Sequence, residues 1–211
     1  MLRRLTEDHY RPPKKGKHKL IVIEGIDGSG KCTQSHLLHM KLLQNFGAVL
    51  FEFPNYESIT GRFIKQLLTE NYMSYHSHAW ACLLAANRYE DRDYILNSIR
   101  HTNVVMNRYY QSNIVYSTAS GIDTQWLVDL DSRMPRPNLV IVLDVPVEES
   151  IRRKTNRDMI EQDLSYLQKV RETYKTLGAP RGWRIVDGNQ AAVIVHEDIM
   201  KLVNDEFQWN I

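Results

Sequence analysis

The sequence predicts an α/β fold, a three-layer sandwich in which a parallel β-sheet lies between layers of helices. Two observations carry this. Short apolar runs recur along the chain, partly β-branched and without strict alternation, as suits strands covered on both faces. Between them lie longer amphipathic stretches, of the length a crossover between parallel strands requires. A chain of 211 residues can bury one good core, so one domain is expected.

The strand candidates are Leu20–Ile23, Val49–Phe53, Val104–Met106, Leu139–Leu143 and Arg184–Val186. A helix is expected around His78–Arg100, where Trp80, Leu84 and Arg88 recur at steps of four and share one face. Leu164, Leu167, Val170, Tyr174 and Leu177 mark another, ended by Gly178 and Pro180. Val195, Ile199, Leu202, Val203 and Phe207 mark a third near the C-terminus. Ligands in such sheets sit at the carboxyl ends of the strands, so the residues just after each run are the place to look.

Composition excludes several classes. Apolar content of 43% with 25% charged residues is that of a soluble globular protein. No stretch approaches the ~20 apolar residues of a membrane span. A net charge of +2 does not call for a nucleic-acid partner. Positive charge gathers instead at the start, in Arg3, Arg4, Arg11, Lys14, Lys15, Lys17 and Lys19. Residues 1–18, with Pro12-Pro13, Gly16 and no apolar periodicity, read as a solvated basic extension ahead of a domain spanning 19–211. Glu7, Asp8 and the lack of serine there argue against an organelle address. Cys32 and Cys82 show neither metal-ligand nor disulfide-framework spacing, and a cytoplasmic, reducing compartment follows.

The most specific motif is Gly25-Ile26-Asp27-Gly28-Ser29-Gly30-Lys31-Cys32-Thr33. It fits the G-x-x-x-x-G-K phosphate loop, with a strand before it and a helix after. Glycines let backbone N–H groups turn inward around phosphate oxygens, and the helix adds its positive N-terminal end. Lys31 then reaches the β- and γ-phosphates. The glycine order differs from the dinucleotide fingerprint. Cys32 stands where a hydroxyl normally meets Mg²⁺, and a thiol suits that hard ion poorly, so water or Thr33 is expected to fill the place.

An ordered series of further motifs resembles the thymidylate kinase family of P-loop nucleoside monophosphate kinases. It comprises Glu24 to Lys31, Phe53-Pro54, Ala86-Asn87-Arg88-Tyr89-Glu90, Arg108-Tyr109 with Ser112, Leu143-Asp144-Val145-Pro146 and Val186-Asp187, across about Lys19 to Phe207. The resemblance implies a five-stranded parallel sheet, a homodimer, and phosphoryl transfer from ATP–Mg²⁺ to thymidine monophosphate (dTMP). It implies that Gly25, Gly28, Ser29, Gly30, Lys31, Cys32 and Thr33 hold the ATP phosphates. It implies that Asp27 contacts the acceptor sugar, Phe53 lines the base pocket, Arg88 hydrogen-bonds thymine and Arg108 holds the acceptor phosphate. Tyr56, Leu84, Ser112 and Tyr116 complete the expected acceptor site, and Asn107 is expected beside the metal, through water.

The residues support part of this by themselves. Leu84 beneath Arg88 describes an apolar floor beside a polar donor, as a pyrimidine needs. Arg108, directly after the third strand, is a permanently charged fork suited to phosphate. Three positions depart from the family: Asn107 where an aspartate is usual, Tyr56 where an arginine often grips the acceptor phosphate, and Leu84 where a phenylalanine often stacks. Tyr56 and Leu84 together predict a reshaped acceptor pocket.

Arg152, Arg153, Lys154 and Arg157 cluster in a predicted lid at about 152–161. Some family members carry a catalytic arginine at the position of Gly28; glycine cannot serve, so the lid must, with Arg153 and Arg157 as candidates. No general base is required, because the attacking phosphate oxygen is already ionised at neutral pH. Catalysis reduces to positioning and charge neutralisation by Lys31, Arg108, the lid and Mg²⁺. Two alternatives remain open from sequence. A deoxynucleoside kinase would need a carboxylate base, for which Glu24 and Asp27 are nominal candidates. A nucleotide-binding module of weakened activity would account for Cys32, Asn107 and Tyr56.

Overall fold

The structure is a computed structural model and describes residues 17–70, 77–153 and 163–211. The predicted basic extension lies outside these residues up to position 16, as does most of the predicted lid, including Arg157.

Five strands form one sheet: β1 (Leu20–Gly25), β2 (Ala48–Glu52), β3 (Asn103–Asn107), β4 (Leu139–Asp144) and β5 (Arg184–Asp187). Their order is β2-β3-β1-β4-β5, and every pairing is parallel. Each strand overlaps one of the five apolar runs. The absence of alternation has a direct cause: β1 is buried on both faces. Leu20 and Val22 join one core with Val104, Met106, Val140 and Val142. Ile21 and Ile23 join the other with Val105, Ile141 and Leu143.

Helices close both faces. On the second face lie α1 (Lys31–Phe46), through Leu38 and Leu42, and the last helix, Ala192–Phe207, through Val195, Ile199 and Val203. On the first lie Ile95, Val115, Leu167, Val170 and Tyr174. They belong to helices running Arg92–His101, Tyr110–Ala119 and Leu164–Gly178. In chain order the helices after α1 are α2 (Ile59–Glu70), α3 (His78–Glu90), α4 (Arg92–His101), α5 (Tyr110–Ala119), α6 (Thr124–Leu130), α7 (Val147–Arg153), α8 (Leu164–Gly178) and α9 (Ala192–Phe207).

Two expectations are corrected. The helix expected around His78–Arg100 is two helices broken at Asp91, a turn residue (φ −93°, ψ 0°) that caps the end of one and the start of the next. The Asp91 carboxylate accepts a hydrogen bond from Asn55 Nδ2 at 2.8 Å, tying the break to the loop after β2. In α8, Leu164 is exposed and Tyr166 enters the core instead.

β1 lies centrally, between β3 and β4, so the loops after these three strands converge at one end of the sheet. That is where ligands bind in open α/β sheets.

Candidate active site

The phosphate loop joins β1 to α1. Gly30 caps α1 in a left-handed conformation (φ 93°), and no side chain caps the helix. Such an end is suited to an anion. Gly28 is dictated by its neighbour. Its φ is 73°, and a Cβ there would stand 2.2 Å from the carbonyl oxygen of Ser150 in α7. Helix α7 therefore packs directly on the loop. The buried Lys31 donates from Nζ to the Ile26 carbonyl at 2.6 Å and lies 3.9 Å from Asp27. Cys32 and Thr33 are exposed on the first turn.

Across from this loop, Arg108 follows β3 with a left-handed φ of 63°, a conformation costly to a non-glycine residue. Its backbone N–H is held by the Ile23 carbonyl at 3.0 Å. Its guanidinium donates to Asp27 at 2.6 Å and to Ser112 Oγ at 2.9 Å, and lies over the Tyr116 ring. Burial would lower its pKa, but Asp27 and neighbouring groups raise it well above the ordinary arginine value. Tyr116 donates to the other Asp27 oxygen at 3.1 Å. Burial first, then Asp27, keep the Tyr116 hydroxyl protonated.

Glu24 organises this wall from beneath. Fully buried, it accepts from Tyr109 N at 2.9 Å, Ser112 N at 3.1 Å, Ser112 Oγ at 2.6 Å and Tyr174 Oη at 2.9 Å. Four donors occupy its two oxygens. That arrangement pins the loop carrying Arg108 and leaves Glu24 unsuited to the base role considered from sequence.

The other end of the cleft is built by α3. Arg88 is buried and pairs bidentately with Asp131, through Nε at 2.9 Å and Nη2 at 2.5 Å. Asn87 takes the backbone N–H of Asn55 at 2.8 Å and donates to Ser58 Oγ at 2.9 Å. Glu90 accepts from Thr60 Oγ1 at 2.8 Å. Asn87 and Glu90 of the Ala86–Glu90 motif thus fasten the segment after Phe53, from Asn55 to Thr60. Together these walls enclose a cleft of about 180 Å³. All the residues predicted for the acceptor line it: Asp27, Phe53, Tyr56, Leu84, Arg88, Arg108, Ser112 and Tyr116.

A family model described as "Thymidylate kinase" matches residues 23–199. The chain belongs to the thymidylate kinase family. It is an enzyme, an ATP-using nucleoside monophosphate kinase that phosphorylates dTMP. A protein of Pyrococcus abyssi named "Probable thymidylate kinase" is 39% identical over 196 residues, covering 88% of this chain and 96% of that one. The thymidylate kinase of Schizosaccharomyces pombe is 33% identical, over 91% and 94% of the two chains. Among solved structures, a thymidylate kinase from Candida albicans superposes with a TM-score of 0.75 at 27% identity, covering 89% of this chain and 93% of that one.

Sequence reasoning toward this thymidylate kinase site missed several residues. Asn113, Asn87, Ser117 and Tyr166 also line the cleft. Asp131 had no local signal at all, being 43 residues from Arg88 in the chain. Glu52 had a weak one, as the last residue of β2 beside the Phe53-Pro54 pair. It is the register partner of Asn107, whose Nδ2 donates to it at 2.8 Å.

Of the predicted lid, the structure describes Arg152 and Arg153. Arg153 donates to Glu149 at 2.7 Å and to the Gly188 carbonyl at 2.9 Å. Gly188 packs against the phosphate loop near Ser29, so Arg153 stands beside that loop rather than remote from it. Hydrogen bonds from Arg152, then Arg153, lower the Glu149 pKa to about 2.

Proposed function

We propose that the chain transfers the γ-phosphoryl group of ATP–Mg²⁺ directly to the phosphate of dTMP held in the Asp27–Arg88–Arg108 cleft. The observation that carries this is the convergence of Lys31 and Arg108 on one oxygen of Asp27, at 3.9 and 2.6 Å. It sets a phosphate loop against an acceptor cleft. Gly25, Gly28, Ser29, Gly30, Lys31, Cys32 and Thr33 receive the donor phosphates. Arg108 receives the acceptor phosphate, Asp27 and Tyr116 the sugar, and Arg88, Phe53 and Leu84 the base. Ser112 positions Arg108. Tyr56 and Leu84 leave room at the mouth of the cleft.

The acceptor phosphate brings its own ionised nucleophile, so no side chain has to remove a proton. Lys31 and Arg108 draw the two phosphates together and offset their repulsion, while Arg153 and Arg157 supply positive charge from the lid. Magnesium, when bound with ATP, neutralises charge on the β- and γ-phosphates. The donors present fit it in part. With the Asn107 amide nitrogen committed to Glu52, Asn107 Oδ1 and the Glu52 carboxylate remain as hard oxygen donors, and Thr33 adds a hydroxyl. Cys32 does not fit.

The full enzyme is read as a cytoplasmic homodimer. Ile59, Phe63 and Tyr94 are exposed and support an apolar partner surface. Among the described residues, no helix is long and apolar enough to cross a membrane.

The test is a coupled assay of ADP release from ATP against dTMP, dUMP, dCMP, AMP and thymidine. Turnover with dTMP and not thymidine is expected. Preference for thymidine would establish the deoxynucleoside kinase instead, and tight ATP binding without any transfer would establish the weakened module.

A further inference from the structure

Cys32 and Glu52 meet a third residue that the phosphate chemistry does not use. His36 lies one helical turn after Cys32, on the same face of α1. One ligand atom from each of Cys32, His36 and Glu52 lies within 4.8 Å of the others. Among the described residues, no other group of three such side chains converges in this way. Cysteine spacing does not reveal this cluster, because the third ligand arrives from β2.

We propose that Cys32, His36 and Glu52 bind a borderline-soft divalent cation of the zinc class at the mouth of the phosphate loop. Thiolate, imidazole and carboxylate are the donors zinc takes, whereas magnesium takes oxygen alone. Tetrahedral zinc, with bonds of ~2.0–2.3 Å, holds its ligand atoms ~3.3–3.6 Å apart. The Cys32 Sγ to His36 Nδ1 separation is already 3.7 Å, and all three side chains are exposed and able to close. His36 Nδ1 also lies 2.8 Å from the Cys32 carbonyl. Ligation through Nδ1 exchanges that contact for the metal bond and puts the ring proton on Nε2, where water can accept it, the outer support usual for metal-ligating histidines. On the other side, Asn107 holds Glu52 in the same supporting manner.

Binding replaces the thiol proton by the metal–sulfur bond and releases that proton to solvent. Without the cation, burial and then Glu52 raise the Cys32 pKa, only partly offset by Lys31. The site shares Cys32 and Glu52 with the ground where the nucleotide's own metal belongs, so occupancy by zinc inhibits transfer. That consequence rests on the kinase reading; the binding does not.

The experiment uses the full chain carrying Cys82→Ser, reduced and stripped of metal, titrated with Co²⁺ in the absence of nucleotide. The expected result is a sulfur-to-cobalt charge-transfer band saturating at one equivalent and bleached by Zn²⁺. His36→Ala and Glu52→Gln should each weaken cobalt binding by more than ~10-fold with unchanged far-UV circular dichroism. No thiolate band, or the same midpoint in both variants, overturns the proposal. In a parallel arm, His36→Ala should keep magnesium-supported ADP release while losing inhibition by Zn²⁺. Retained zinc sensitivity in that variant would overturn the overlap with the nucleotide site.

Discussion

Asp27 Oδ1 lies 2.6 Å from an Arg108 guanidinium nitrogen, so the residues assigned to the acceptor's sugar and to its phosphate are paired with each other. Each holds the other in place before substrate arrives. The pair is partly buried, and Tyr116 and Ser112 complete its hydrogen bonds. A preformed constellation of this kind avoids the ordering cost that a mobile arginine would add on binding.

Loss of either member should therefore act on the acceptor and spare the donor. Asp27→Ala is expected to raise the KM for dTMP by ~10–100-fold, the worth of one charge-assisted contact. Arg108→Ala should lower kcat/KM for dTMP by more than ~100-fold, since it also neutralises transition-state charge. Steady-state kinetics with each substrate varied in turn would check both. An equal rise in the KM for ATP would contradict the assignment.

Lys31→Ala should abolish turnover, by ~10²–10³-fold or more, while the chain stays folded. Far-UV circular dichroism beside ADP release measures this. Near-normal release would sink the mechanism.

The buried Arg88–Asp131 pair makes a different prediction. Asp131→Ala leaves a buried guanidinium unpaired and should cost about 3–5 kcal/mol in urea unfolding. Asp131→Asn keeps the shape and loses the charge; it should raise the KM for dTMP and leave that for ATP unchanged.

Gly28 cannot take over the catalytic arginine by substitution. Gly28→Arg would place a Cβ 2.2 Å from the Ser150 carbonyl on a backbone of φ 73°. The left-handed conformation alone costs roughly 1–2 kcal/mol. Lower thermal stability and lower activity are expected together. An arginine there that raised turnover would show that α7 can move off the loop.

Stability should also depend on pH through Asp144, at the end of β4. Burial opposes its charge, but hydrogen bonds from Arg171 at 2.6 and 2.9 Å, and from Lys175, lower its pKa below the ordinary 3.8. A depressed carboxylate pKa stabilises the fold above the unfolded value, and that contribution is lost as pH falls through the folded value. Asp144→Asn should therefore shift the urea midpoint at pH 7 and have a much smaller effect once pH is below the folded value, itself under 3.8. An equal shift at both would assign the effect to packing.

What the sequence determined by itself was local or periodic. Non-alternating apolar runs marked the strands, most clearly β1, β3 and β4, because a strand buried on both faces needs apolar side chains in both directions; the edge strand β5 is mostly exposed. Glycine spacing marked the phosphate loop, and ordered motifs named the residues that line the cleft. Tertiary structure alone decided who holds whom. Asp131 reaches Arg88 across 43 residues and Tyr174 reaches Glu24 across 150. The Ser150 carbonyl fills the space that Gly28 leaves open, and His36 meets Glu52 between a helix and a neighbouring strand. Such partners are chosen by the order of strands in the sheet, and no period or spacing along the chain encodes that order.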